Sequence, residues 1–569
     1  MYDKASFGSL FLWESFFYGE TMTSEQYAFT QAVALLQQGK VSQGIELLKP
    51  LTYNSELAEK ALQILFKVAM QKQDTETAIA YCQQLVSIAP TKFDYVLTLV
   101  QISLSCGEFE IAKNALLPLY TANPQQADIC FQLGNIERKL GNADAAIRFL
   151  EQALTLSEQF KVPALIEIAY VHNEQLHQPS VAIQYLEQAI SHDNKSLQAN
   201  FALANIHEQL GNKDKAKKGF QQVLKIDAFN AMAQARLADI ETFSEQDATN
   251  YEHACLAILQ RESDDIACAD LYYALGKVFN DCKNYQKAWH YYVKANQYNK
   301  KYLPVYDRQS IEAVTDYTLA RNITLQAANT SITPIIICGM FRSGSTLIEQ
   351  IISSNEQIAA GGEIAYLHSS LFNLINDEKA LANKAKDPEF INGYNEQLIL
   401  RAEGAFYVTD KRPENYLYLD VIKQLYPNAK IIWTERDIKD NSLSAYFQHL
   451  GPSLNYAVSL NDTLHHYEQQ QRIKSHWQSR FSNDIFTMNY DLLVASPEQV
   501  LEPLFSFLGL EYTDEAQRFH NKTGTVSTAS VWQVRKPLYK SSSGRFENYL
   551  EHIQGNEQSY LDAKALLNK

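Results

Sequence analysis

The stretch that decides the fold is Pro334–Glu363, PIIICGMFRSGSTLIEQIISSNEQIAAGGE. It opens on an apolar run, Ile335 to Cys338, that is short, β-branched and bounded by Pro334 and Gly339. Such a run reads as a buried parallel strand. The loop from Gly339 to Thr346 follows, and Leu347 to Ile352 has helical spacing. A strand, a glycine-bearing loop and a helix present free backbone N–H groups and a positive helix end, the arrangement that suits a phosphate. Gly339, Gly344 and Thr346 stand where the loop G-x-x-x-x-G-K-[ST] needs them, but Ser345 occupies the lysine position. Enzymes that cleave a nucleoside triphosphate place that lysine on its β- and γ-phosphates. Its absence argues against a kinase or an ATPase, and Arg342 offers a cation from another position in the loop.

Two further stretches point the same way. Ala429–Tyr446, AKIIWTERDIKDNSLSAY, is again a short apolar strand running into a helix, with Arg436 at the strand's end and Ser444 about two helical turns on. An arginine can fork two oxygens of a phosphate and a hydroxyl can take a third. Taken alone, Arg436 reads better as the partner of Asp440 in a surface ion pair. Thr528–Arg545, TASVWQVRKPLYKSSSGR, carries four cations and no acid in a chain whose net charge is −15. That local reversal suits a mobile cover over a polyanion.

Together these residues resemble the sulfotransferases that use 3′-phosphoadenylyl sulfate (PAPS). Arg342, Ser343, Gly344, Ser345 and Thr346 match the family's 5′-phosphosulfate loop, and Arg436 with Ser444 match its 3′-phosphate site. Gly362-Glu363 and the run from Thr409 through Lys411 to Asn415 match positions near the transferred group. Within the family the chain is most similar to the tyrosylprotein-sulfotransferase-like branch, in the bacterial form with tetratricopeptide repeats in front, and the likeness covers about residues 330 to 550. The resemblance implies that Glu363 is the general base, with His368 a second candidate, and that Lys411 meets charge on the departing oxygen. It implies cofactor contacts at Tyr490, Ser530, Gln533, Arg535 and Lys540. The family usually has Glu after that tyrosine, where this chain has Asp491, and often Trp where it has Phe546. The acceptor implied is a protein tyrosine. A glycan hydroxyl, a small metabolite, and a repeat scaffold with an inactive catalytic half stay open beside it.

The 569 residues are too many for one core, and 46% hydrophobic content is ordinary for a globular chain. The acidic balance speaks against a general binder of nucleic acid or anionic membrane. Seven cysteines, at 82, 106, 130, 255, 268, 282 and 338, are widely spaced with no CxxC. They read as thiols used as small hydrophobes in a reduced, cytoplasmic protein, the first six at buried helical positions. No metal-ligand cluster is evident. The segment Phe7–Tyr18 is apolar but short and interrupted by Glu14. It makes a poor signal peptide or membrane span. Residues 1–23 read as a tail or a misplaced translation start before Met22, or alternatively as an extra helix on the first repeat.

From about residue 24 to 325 the pattern is helical and repeats. Ala78, Ala112, Ala146, Ala182 and Ala216 are 34, 34, 36 and 34 residues apart, and Ala288 follows 72 later. Gly107, Gly141 and Gly211 mark turns that favour positive φ. This resembles the tetratricopeptide repeat, about seven or eight units, the seventh degenerate around Glu245. Such units stack into a superhelix because one pair cannot bury its apolar face alone. The expected partner of the superhelix is a protein or peptide; a spacer or a homodimerisation arm is the alternative. The aromatic run from Tyr272 to Tyr292 reads as packing against the following domain. Helical periodicity stops near residues 328–333, so residues 330–569 form the second domain. The fold expected is an all-α tetratricopeptide superhelix followed by an α/β, P-loop-like sulfotransferase domain with a parallel sheet.

Overall fold

The computed structural model describes residues 23–53, 56–90, 92–521, 526, 531–540 and 542–569. Residues 1–22, on which the expectation about the N-terminal segment falls, lie outside the described residues, and so does Ser530. The chain divides into two compact units, 1–193 and 194–569. That boundary falls inside the repeats, whereas the change of periodicity lies near residue 328. No helix among the described residues is long and apolar enough to cross a membrane.

Among its described residues the first unit holds five helix pairs, of which Ala127–Lys139 with Ala143–Leu156 is representative. Ala78, Ala112, Ala146 and Ala182 are all fully buried where the second helix of a pair crosses the first. Five residues before each of them the backbone turns left-handed, at Gln73, Gly107, Gly141 and His177. The first pair keeps the same register with Gly39 and Gly44; a Cβ on Gly44 would lie 2.7 Å from Leu36. The 36-residue spacing between Ala146 and Ala182 has a visible cause. A π turn, Val171–Gln175, takes up extra residues at the end of the helix Glu158–Tyr170.

The second unit begins with three more pairs: Leu197–Gln209 with Lys213–Ile226, Ala231–Ile240 with Glu245–Leu259, and Asp265–Asp281 with Tyr285–Tyr302. Gly211 and Lys283 continue the left-handed register. The middle of these pairs is the irregular one. Its turn, Glu241 to Ser244, contains no left-handed residue, and Ala248 takes the buried crossing position. The helix Arg308–Ala320 and an extended stretch then lead into the sheet.

The sheet has five parallel strands, β1 Thr333–Gly339, β2 Ile358–Ala359, β3 Tyr407–Asp410, β4 Lys430–Glu435 and β5 Ile485–Asn489, in the order β2-β3-β1-β4-β5. Ile335 to Cys338 of β1 have no exposed surface. A central parallel strand covered by helices on both faces reads as a continuous apolar run for that reason. β1 and β4 lead away in opposite directions, so the carboxyl edge between them is the switch point where such sheets bind ligands.

The aromatic run of the last pair is core, as expected. Tyr292 stacks on Phe447 at 3.7 Å and Trp289 on Tyr446 at 5.4 Å, while Trp289 Nε1 donates to Ser559 Oγ at 3.2 Å. Phe546 is buried in the same cluster. The cysteines differ from expectation at two positions. Cys106 is exposed and Cys282 half-buried, because Cys106 is the last residue of its helix and not on the packed face.

Candidate active site

Four chain segments reach the carboxyl edge of the sheet and meet there. After β1 the loop turns through Arg342, which is left-handed at φ 67°, and Gly344, at φ 99°. The helix Ser345–Ile352 starts immediately. A side chain at Gly344 would put its Cβ 2.6 Å from the Tyr490 ring, so glycine serves both the dihedral and the close approach there. Tyr490 follows β5, Arg436 follows β4, and Lys411 follows β3.

The β1 loop, Arg436 and Tyr490 line a shared cleft there, and Lys411 lies outside its lining. Arg342, Gly344, Ser345, Thr346, Glu363, Arg436, Tyr490 and Gln533 line it. The two arginines approach each other: Arg436 Nη1 donates to the Arg342 carbonyl at 3.5 Å, and its guanidinium lies 4.9 Å from the Tyr490 ring centroid. Desolvation, and after it the neighbouring Arg436 charge, pull the Arg342 pKa down to about 10. Arg342 Nε donates to Ser444 Oγ at 3.2 Å, and its Nη2 to Gln533 Oε1 at 2.7 Å. Arg436 also donates to the Ser542 carbonyl, and its buried Nε has no hydrogen-bond partner among the described residues. Asp440 does not pair with Arg436 by hydrogen bonds. It accepts from the backbone N–H of Gly544 and of Phe546 and so fixes the C-terminal segment to the β4 corner.

Beside the cations stands a carboxylate pair. Lys411, 1% exposed, places Nζ 3.0 Å from Glu363 Oε1 and 4.0 Å from Glu349 Oε2. Glu363 is the accessible member, with 40% of its side chain exposed. Glu349 is buried and accepts from Gly362 N–H at 3.0 Å and from Thr409 Oγ1 at 2.7 Å. Asp410 is a structural carboxylate. It accepts from Tyr394 OH at 2.9 Å and from the N–H of Ile364 and Arg412, and burial lifts its pKa to about 6.

Other residues named from the sequence lie apart from the cleft. Ser343 is fully buried; its hydroxyl donates to the Met340 carbonyl at 2.5 Å and meets Thr434 Oγ1 at 2.6 Å, tying the loop to β4. Arg535 donates to the Gln209 carbonyl of the repeats, and Lys540 is exposed outside the lining. His368 stacks on Phe372 at 4.7 Å and bonds Tyr418 OH; burial lowers its pKa to about 4. Asp491 accepts from Asp437 N–H at 2.8 Å and from Ser543, so the shorter acid still clips that corner. Lys536 and Tyr539 line the cleft and were not singled out from the sequence. Glu349 was also missed; a glutamate in the first turns of a helix carries no sign of burial.

Comparison with known proteins is consistent with this geometry. Residues 334–514 match the Sulfotransferase family, residues 175–240 the Tetratricopeptide repeat, and residues 59–153 the TT21 fifth ARM repeats domain. An uncharacterised protein of Aquifex aeolicus (strain VF5) is 27% identical over 384 residues, 62% of this chain and 48% of that protein, so the chain spans about half the length of this relative. A Caenorhabditis briggsae protein named "Putative protein-tyrosine sulfotransferase" is 25% identical over 207 residues, 33% of this chain and 70% of that protein. Among solved structures, a MamA protein is 20% identical, covering 31% of this chain and 94% of its own, at a TM-score of 0.27. A tetratricopeptide repeat protein from Parabacteroides merdae is 16% identical, covering 43% and 91%, at a TM-score of 0.31. The chain thus carries tetratricopeptide repeats and, after them, a sulfotransferase domain.

Proposed function

We propose that this sulfotransferase domain moves a sulfuryl group from PAPS to an acceptor hydroxyl, a protein tyrosine in the first instance, and that the repeats bring the acceptor protein. The observation that carries the donor reading is the meeting of Arg342 and Arg436 in one cleft at the sheet's switch point. Two guanidiniums that crowd each other are relieved by a polyanion. Arg436 Nε, buried and without a hydrogen-bond partner among the described residues, is a donor left over for it. Arg342 and the N-terminal amides of the helix Ser345–Ile352 suit the 5′-phosphate, and Arg436 with Ser444 suits the 3′-phosphate that separates this donor from ATP.

In the transfer, Glu363 accepts the acceptor's proton as that oxygen bonds to sulfur, and adenosine 3′,5′-bisphosphate leaves with the electrons of the broken S–O bond. Lys411, held between Glu349 and Glu363, meets the negative charge on the departing oxygen. The exposure of Glu363 beside the fully buried Lys411 supports this division: the carboxylate is reachable by a large acceptor and the ammonium is not. Tyrosine as acceptor is supported by the name of the Caenorhabditis briggsae relative and by the repeats, whose usual role is to hold protein partners.

Calorimetric titration with adenosine 3′,5′-bisphosphate, beside ATP and an Arg436→Ala variant, tests the donor. Binding that prefers the bisphosphate and needs Arg436 is expected; preference for ATP would refute it. Glu363→Gln should lower turnover of labelled PAPS with tyrosine peptides by about a hundredfold or more while leaving bisphosphate affinity within about twofold. Normal turnover in that variant would dispose of the base assignment.

A further inference from the structure

The segment from Val531 to Tyr539 has two sides. Trp532 and Arg535, three residues apart on one turn, face the helix pair Leu197–Gln209 and Lys213–Ile226. Trp532 Nε1 donates to Glu208 Oε1 at 2.8 Å, and Arg535 Nη2 donates to the Gln209 carbonyl at 2.7 Å. Slightly upstream, Val526 N–H donates to the same carbonyl at 2.9 Å. Gln533, Val534, Lys536 and Tyr539 face the donor cleft. Gln533 is the residue whose Oε1 takes Arg342 Nη2 at 2.7 Å.

The repeat side of this strap is a built seat. Glu208 is 2% exposed and also takes the guanidinium of Arg236. The Trp532 ring packs on the cluster formed by Ala204, Phe220 and Ile240. Gly211, in the turn of the same pair, lies directly under Arg535: a Cβ there would come within 2.5 Å of the guanidinium carbon. The equivalent turn glycine of the fourth pair, Gly141, has the same left-handed backbone and nothing within 4 Å of its virtual Cβ. One turn position therefore has a second constraint that its counterpart lacks, and the extra constraint comes from the strap.

We propose that this helix pair is a working part of the donor site: Glu208, Gly211 and Trp532 are positioning residues that seat the strap and thereby hold Gln533 against Arg342. The ligand named in the test rests on the donor reading above; the coupling between repeat and loop does not. A repeat array that only recruits an acceptor needs no such contact. One that seats the strap makes the donor cleft incomplete without it.

The test uses the full chain with Gly211→Ala, Trp532→Phe and the control Gly141→Ala. Two quantities are read: affinity for adenosine 3′,5′-bisphosphate, and hydrogen exchange at the amides of 342–347 without ligand. Trp532→Phe keeps an aromatic ring on the seat but loses the indole N–H and part of the packed area, and about a tenfold loss of affinity is expected. Gly211→Ala, whose Cβ meets the flexible end of the Arg535 side chain, should weaken binding less, and both should speed exchange at 342–347. Gly141→Ala carries the same backbone strain and should change neither quantity. Unchanged exchange at 342–347 in both strap variants, or an equal change in Gly141→Ala, would overturn the proposal. If the wild-type chain fails to bind the bisphosphate, the donor reading falls, and the exchange comparison alone still decides the coupling.

Discussion

The turns of the repeats and the loop after β1 both depend on left-handed backbone, and they bear substitution differently. At Gly39, Gly107 and Gly141 a side chain would meet open space. Gln73, His177 and Lys283 fill the same register without glycine. Only the dihedral is at stake there, a cost of about 1–2 kcal/mol for a residue with a Cβ. In the loop the space is taken as well. A Cβ on Gly339 would lie 2.4 Å from the Thr434 carbonyl oxygen, and one on Gly344 2.6 Å from the Tyr490 ring. Arg342 is left-handed without being glycine, and its guanidinium is tied to Ser444 and Gln533. The same backbone state is a convenience in one region and a fixed part of the site in the other.

The largest expected effect breaks that contrast directly. Gly344→Ala pushes on the Tyr490 ring, which lies under Arg436, so the loop and the second cation shift together. A misplacement of about 1 Å in a reacting geometry costs on the order of a hundredfold in rate. Turnover of labelled PAPS should fall by that much for Gly344→Ala and stay unchanged for Gly107→Ala. Equal losses would mean that the dihedral alone matters in both places.

Next in size is a charge difference. Asp410 beside the cleft is fully buried, and burial lifts its pKa to about 6; an unfolded aspartate titrates near 3.9. The folded state therefore binds its proton more tightly, and the stability linked to Asp410 is complete below about pH 4 and lost as pH rises through about 6. Relative to Asp410→Asn, the wild-type chain should lose roughly 3 kcal/mol between those limits, read from denaturant midpoints across the pH range. A stability difference that does not change with pH would show that the three hydrogen bonds to Asp410 offset its burial. A smaller step concerns the competing base. His368→Phe should leave turnover within about threefold, because His368 packs on Phe372 and lies outside the cleft. A loss as deep as that of Glu363→Gln would reverse the assignment.

The contrast also marks what the sequence could convey. Ile335–Cys338, the two glycines of the loop, Arg436 and the alanine register all announce themselves, because each rests on composition or on a short period. The two-residue strand β2 carries no pattern at all. In the strap, the sequence pointed to Gln533, Arg535 and Lys540 as cofactor contacts. The structure brings only Gln533 to the cleft, together with Lys536 and Tyr539. An irregular turn has no period from which to read which side faces inward, and the seat for Trp532 and Arg535 comes from residues more than three hundred positions earlier. Gln73, His177 and Lys283 were illegible for a related reason: without glycine, positive φ leaves no compositional sign.

Those three residues supply the smallest test. Gln73 is exposed at φ 57°, and it sits five residues before the buried Ala78. Gln73→Gly removes a left-handed penalty of about 1–2 kcal/mol and adds back about 0.4–1 kcal/mol of unfolded-state freedom. The net expectation is a gain of about 0.8 kcal/mol, visible as a small rise in the denaturant midpoint with bisphosphate affinity unchanged. The reverse change, Gly107→Gln, should lose a similar amount. If Gln73→Gly were destabilising, the glutamine side chain would have to contribute a contact of its own. The turns would then resemble the β1 loop, where a residue holds left-handed backbone because of what its side chain grips.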